Sequence, residues 1–367
     1  MSAVTSTSSH LRQDAASRPP LTFLRWVGAT FALIAALNIG LSLHFGPIGG
    51  DLARLGGFAE RDYGPGVPQP APKIAPNTVA LADADIVVLG DSFSNRLLWQ
   101  GEYEAMTGQR TLTFQYGEAG CISNWLRWMH EQKLKPGALV VVETVERNYV
   151  SRFAQLTTCP KVTPLPMRRH LGDANRKSWI DSGISLDIMY QLRVLMNSVR
   201  LGSQDAYRAG EAVNVVLKHT DRFTNRRADR LLYHADDEVK DGWRPSQLAS
   251  ALAGLSAQRA AFEASGQRFE MLVIPDKSSV YRDDIVAPRM RAVALTHDLQ
   301  EAGLWPLDTQ QCFRSLALKV PDFYLPDDMH VGVTANRLIA ASIAQRQCVG
   351  LPAAAASGAA PASAALN

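Results

Sequence analysis

Two short segments carry residue types that together can move an acyl group. The first is DIVVLGDSFSN, Asp85 to Asn95, in which an apolar run enters Gly90-Asp91-Ser92. The second is PDDMHVG, Pro326 to Gly332, which sets Asp327 and Asp328 just ahead of His330. A serine hydroxyl is a weak nucleophile until a base removes its proton. An imidazole does this near neutral pH, and an acid two or three residues earlier can hold one ring N–H and leave the other nitrogen free. The pair points to Ser92 as nucleophile, His330 as base and Asp328 or Asp327 as orienting acid. Read singly, Ser92 is equally a helix N-cap in a turn, and His330 an incidental residue at a helix start. The local pattern is not the G-x-S-x-G elbow, because Ser94 stands where the second glycine would be.

Chemistry of this kind needs a scaffold that exposes a turn at the end of a strand. DIVVLG (85–90), TLTFQYG (111–117), ALVVVET (138–144) and FEMLVIP (269–275) are short apolar, β-branched runs bounded by turn residues, most of them followed by a helical stretch. The alternation predicts parallel strands with right-handed helical crossovers, a three-layer α/β fold. GLWPLD (303–308) reads as a weaker last strand, and TANRLIAASIAQ from Thr334 as an amphipathic closing helix. Ser92 is then exposed at the sheet's edge, where backbone N–H groups at the start of the following helix can stabilise an oxyanion. Residues 150–244 break the rhythm. They are Arg-rich and hold a helical stretch at 185–202, so they read as a helical insertion between the third and fourth strands. Trp125 and Trp128 share a helix face, which favours a core position over a sugar-stacking platform.

The 367-residue chain also carries signals about its surroundings. Trp26 to Phe45 has no Asp, Glu, Lys or Arg and is long enough to cross a ~30 Å hydrocarbon layer as a helix. Arg12, Arg18 and Arg25 precede it, so the positive-inside bias keeps residues 1–22 in the cytoplasm and sends the rest across. The expected order is a cytoplasmic N-terminus (1–22), an uncleaved signal anchor (23–45), a Pro/Gly-rich extended spacer (46–80), a catalytic body (81–350) and a disordered Ala-rich tail (351–367). Cys121, Cys159, Cys312 and Cys348 all follow the anchor, where disulfides are permitted, and pairing 121 with 159 and 312 with 348 closes the shorter loops. A net charge of +3 without a dense basic run gives no reason to expect nucleic acid, and no zinc-type spacing of His or Cys is present.

Taken in order, Gly90-Asp91-Ser92 after the first strand and Asp327-Asp328-Met329-His330 before the last helix resemble the SGNH (GDSL-type) hydrolase superfamily. The resemblance covers roughly residues 83–346 and implies a flavodoxin-like three-layer fold. It also implies an oxyanion hole built from the amide of Ser92 and that of Gly117, or alternatively Gly120, in YGEAGCIS. The family's G-x-N-D block is missing, and VVVETVERNYV, with Glu143, Glu146 and Arg147, stands in its place. That stretch, with G-x-S-x-S at the first strand, is similar to the periplasmic alginate and cellulose O-acetyltransferase branch. There the Asp-x-His motif precedes the serine, whereas here it follows it. The branch implies Asp328 as the acid, while ordinary members imply Asp327. Glu146 and Arg147 read either as a structural ion pair or as residues orienting the substrate or the site loop.

The resemblance implies a periplasmic enzyme, anchored in the inner membrane by one helix, that passes an acetyl group through an acyl-serine to hydroxyls of an alginate- or cellulose-like exopolysaccharide. It needs no cofactor or metal of its own. Its donor would be relayed by a membrane-bound O-acyltransferase or a polysaccharide synthase complex, because acetyl-CoA stays in the cytosol. An SGNH-type acetylesterase fits the same residues, as does a non-catalytic polysaccharide-binding or scaffold protein.

Overall fold

The computed structural model describes residues 21–46, 49–119, 122–154, 187–200, 204–288 and 290–348. Four parallel strands form the central sheet: β1 (Ile86–Gly90), β2 (Thr111–Gln115), β3 (Leu139–Val145) and, late in the chain, Arg268–Ile274. Between these last two in sequence lies an antiparallel sheet of β4 (Ala206–Ala209), β5 (Ala212–Val216) and β6 (Arg230–His234), which makes Arg268–Ile274 β7. The central order is β2-β1-β3-β7, with Ile86 beside Thr111 and Leu139, and Val140 beside Phe269.

Alternation along a strand sends neighbours to opposite faces, and here both faces are buried. Ile86, Val88, Leu139 and Val141 enter one apolar cluster, with Trp99, Phe313 and Leu338, while Val87, Leu89, Val140 and Val142 enter another, with Phe114, Trp125 and Phe262. Each fully buried Val or Leu here contributes roughly 1.5–3 kcal/mol. The result is the expected layered α/β body, closed by the helix Val333–Gln345. Trp125 is fully buried and Trp128 packs with it against Phe114, so both belong to the core.

Three expectations change. GLWPLD is not a strand: it makes one ladder-like bond, Met271 N–H to the Leu304 carbonyl, and Pro306 lacks the N–H to continue. The insertion is not wholly helical. Its described part holds the helices Tyr149–Phe153 and Ile188–Arg200 together with the antiparallel sheet, whose β4–β5 hairpin turns at Gly210 with φ of 57°. Residues 155–186 lie outside the described residues, as do the N-terminal 20 and the Ala-rich tail.

The third change concerns the stretch expected as a spacer, which is woven into the body. Short helices Asp51–Gly56 and Glu60–Tyr63 bury Leu52, Ala53, Phe58 and Tyr63 against Tyr207, Ala212 and Leu232 of the antiparallel sheet. Farther on, Asn77 bonds both the N–H and the carbonyl of Thr113 and so occupies the free edge of β2. Gln69 accepts from Val333 N–H and caps the closing helix. Its Pro and Gly residues exclude long regular elements, but they did not prevent the rest from burying apolar and hydrogen-bonding side chains.

The N-terminal helix runs Leu21–Phe45, and its composition and length suffice for a membrane span or a signal sequence. Most of it is exposed; Asn38, Ser42 and Phe45 near its end are buried.

Candidate active site

The serine turn is shaped by crowding under β1. A Cβ on Gly90 would meet Ser94 Oγ at 2.5 Å and Glu143 Oε2 at 2.9 Å, so only glycine fits there. Asp91 then caps the four-residue helix Ser92–Asn95, its carboxylate accepting from Phe93 N–H at 3.2 Å, from Val145 N–H at 2.8 Å and from Arg152 at 3.1 Å. Asp91 is thereby committed to holding the turn between β1 and β3. Glu143, fully buried, accepts from Asp91 N–H at 2.9 Å and from Ser94 Oγ at 2.8 Å. Burial and the adjacent Asp91 carboxylate push its pKa well up. Ser92 itself is half-buried at the turn's rim.

The histidine loop, 325–330, is closed at its base by the Tyr324–Val331 bridge and leads into the closing helix. His330 Nδ1 is 2.7 Å from Asp328 Oδ1, which also accepts from the His330 N–H at 3.1 Å. Burial alone would raise the Asp328 carboxyl, but the hydrogen bond and charge of His330, with Arg96 at 3.4 Å, hold it below the usual carboxylate range. His330 Nε2 is buried and has no hydrogen-bond partner among the described residues. The Phe93 ring, next in sequence to Ser92, packs on the His330 ring with centroids 4.8 Å apart. The two motifs, more than 200 residues apart in sequence, therefore meet at one end of the sheet.

Asp327 does not face His330 in this way. Its Oδ2 accepts from Gly50 N–H at 2.7 Å, and its carbonyl accepts from Ala53 N–H at 3.0 Å. Of the two acids left open by the sequence, Asp328 is the one on the imidazole, and Asp327 ties the loop to the segment after the N-terminal helix. Asp51 of that segment approaches His330 Nδ1 to 3.8 Å. Asp51, Asp328 and His330 form a group of metal-ligand types, but the 2.7 Å bond between the last two accounts for their proximity.

Lys277, which nothing in the sequence singled out, holds the loop from below. Its buried Nζ donates to the carbonyls of Leu325 at 2.6 Å, Pro326 at 2.9 Å and Asp328 at 3.1 Å. The only available signal was its place just past β7, which carries no chemical signature.

Glu146 and Arg147 enter a buried ionic network. Arg147 donates to Asp276 at 2.8 Å and Asp237 at 3.2 Å, and Lys240 donates to Asp276 at 2.6 Å and Glu146 at 3.2 Å. Burial pushes Asp276 up, but Lys240 and Arg147 outweigh it and keep it ionised below its usual pKa. Arg147 also reaches Met329 Sδ at 3.2 Å, inside the histidine loop. Both residues thus belong to this network, and Arg147 additionally braces the loop. On its other side it lines an open groove of about 450 Å³ with Asn148, Ser151, Asp236, Trp243 and Gln247.

Gly117 follows Gln115, the register partner of Gly90, by the same two residues that separate Ser92 from Gly90, so both stand two residues beyond the ends of neighbouring parallel strands. A side chain at Gly117 would meet no other atom within 4 Å. Gly120, Cys121 and Cys159 lie outside the described residues, while Cys312 and Cys348 are joined, with Cα atoms 5.7 Å apart.

Residues 228–360 match the family model described as the SGNH hydrolase-like domain of acetyltransferase AlgX. The match agrees with the resemblance to the SGNH-like alginate O-acetyltransferase branch; it contains Lys277, Asp328 and His330 and ends short of β1 and Ser92 on the N-terminal side. No curated protein and no solved structure matches the chain.

Proposed function

We propose that the protein is a periplasmic O-acetyltransferase that carries an acetyl group on Ser92 to hydroxyls of an exopolysaccharide of the alginate or cellulose kind. The observation that carries this reading is the His330 imidazole beside the serine turn, with Nδ1 on Asp328 and Nε2 unpartnered among the described residues. In the first step Nε2 takes the Ser92 hydroxyl proton as Oγ bonds to the donor's carbonyl carbon, and the amides of Ser92 and Gly117 receive the oxyanion. Collapse breaks the bond to the donor's leaving group, which departs with the proton from His330. A sugar hydroxyl then gives its proton to Nε2 and attacks the acetyl carbonyl carbon, and the Oγ–acyl bond breaks as His330 returns that proton to Ser92. Asp328 stabilises the imidazolium at each stage. The donor comes from a membrane-bound O-acyltransferase or synthase partner, and the groove beside Arg147 supplies a surface for the polymer.

The test supplies the full chain in lipid nanodiscs with an activated acetyl ester and an oligosaccharide, following acetate and acetylated sugar by mass. Acetylated sugar is expected to rise with sugar concentration. Acetate alone at every sugar concentration identifies an esterase instead. Ser92→Ala and His330→Ala should each lower turnover by on the order of 10⁴-fold or more, and full retention in both would leave only a binding or scaffold role.

A further inference from the structure

Helix Ile188–Arg200 exposes an apolar stripe that its own fold does not use. Met189, Leu192, Leu195, Met196 and Val199 are all exposed, Met196 by 56% and Val199 by 74%. At 100° per residue they fall within one sector of roughly 120°. The opposite face, Tyr190, Gln191, Val194 and Asn197, is buried. Beyond this helix and Leu21–Phe45, exposed large apolar residues among those described occur singly, at Val67, Met106, Val239, Val286 and Leu318.

What lies against the buried face identifies the neighbour of the exposed one. Tyr190 and Val194 pack with Phe45 and Ala59, and Gln191 donates to Ser42 Oγ at 3.0 Å. The helix therefore lies alongside the last two turns of Leu21–Phe45, a stretch of ~10 Å from Asn38 to Phe45 at 1.5 Å per residue. If those turns belong to a span, whatever flanks them sits at the depth of the headgroups and outer acyl chains. Arg193 and Arg200, both exposed, adjoin the apolar sector on one side, as expected for a face that meets anionic headgroups.

We infer that helix Ile188–Arg200 is an in-plane membrane helix, its apolar stripe seated in the headgroup–acyl boundary of the bilayer that Leu21–Phe45 crosses. The inference rests on the spanning reading of that N-terminal helix and adds a second contact. A single span leaves the body free to rotate about it, whereas two contacts fix one face of the body toward the lipid. Gly50, bonded to Asp327, follows Phe45 by five residues, so the histidine loop lies within ~20 Å of the span's end. The fixed face is thus the one near the histidine loop, which suits an acyl donor presented from the membrane.

Nitroxide labels on single introduced cysteines test this in the full chain in phosphatidylethanolamine–phosphatidylglycerol nanodiscs, with the chain lacking an introduced cysteine as blank. Labels at Leu192→Cys and Met196→Cys are compared with Leu33→Cys in the span and Leu318→Cys on the body. The expected ratio of oxygen to nickel-chelate accessibility at 192 and 196 is several-fold above that at 318 and close to that at 33. Preference for the nickel chelate at 192 and 196, with 33 lipid-like, overturns the in-plane helix and leaves the span intact. Shielding of 192 and 196 from both reagents overturns it in favour of a protein cover. A water-like label at 33 overturns the spanning reading, and the inference with it.

Discussion

Glu143 lies wholly out of water beneath the serine turn, with one oxygen accepting from Asp91 N–H and Ser94 Oγ and the other facing no conventional donor. Burial and the Asp91 carboxylate raise its pKa, which favours the protonated acid there. Glutamine reproduces that pattern and alanine does not. Glu143→Gln is expected to keep acyl transfer within a few-fold of the native chain. Glu143→Ala orphans a buried amide and hydroxyl and should cost roughly 1–3 kcal/mol for each, read from urea unfolding. Equal loss in both variants would show that Glu143 acts as a carboxylate. Asp328→Asn fixes the wrong imidazole tautomer and should lower turnover by roughly 10²–10⁴-fold, and, because His330 and Arg96 favour the ionised carboxylate, it should also lower stability near neutral pH, checked by the same mass assay and urea titration.

At the level of elements, the loop 325–330 has little regular structure of its own and is held from three sides. Lys277 binds three of its carbonyls, Arg147 touches Met329, and the Gly50–Ala53 stretch clasps Asp327. The last contact leaves no room for a side chain. A Cβ on Gly50 would stand 2.6 Å from both the carbonyl and the carboxylate of Asp327, and backbone cannot yield as a flexible side chain can. Gly50→Ala is expected to displace the loop and lower turnover by about 10–100-fold, as misplacements near 1 Å do, while far-UV circular dichroism stays unchanged. Undiminished turnover would mean that the clasp does not position His330.

Across the whole molecule, buried carboxyls with raised pKa values set how stability follows pH. Burial and the neighbouring Asp327 push Glu60 up to about 8 from 4.5. The folded chain then keeps a proton that the unfolded chain loses above about 4.5, so this contribution is full below that pH and is lost as pH rises toward 8. Burial raises Asp237 to about 7 with the same sign. Glu60→Gln should therefore flatten the fall in unfolding free energy between pH 5 and pH 8, with the variant gaining on the native chain as pH rises. A constant difference across that range would rule out Glu60 as a titrating group. Because Glu60 meets Asp327, the same titration acts on the clasp that joins the N-terminal helix to the histidine loop.

The sequence by itself determined the parallel strands, the apolar N-terminal helix, Ser92 at the end of β1 and the acid pair ahead of His330. Strand period, turn residues and an uncharged run are local properties, and each is written in consecutive positions. Four things were decided only in three dimensions. Asp328 rather than Asp327 lies on the imidazole, because the direction of two adjacent side chains depends on what packs around their loop. Arg147 and Glu146 became members of a buried ionic network through Asp237, Lys240 and Asp276, all far away in sequence. The Pro/Gly-rich stretch folded onto the body because its few apolar residues found Tyr207, Ala212 and Leu232, whose sheet is formed some 150 residues later. Lys277 acquired its role from three carbonyls of a loop nearly 50 residues on. A residue's type limits which bonds it can make, but the partner that makes one is chosen by the packing of distant segments.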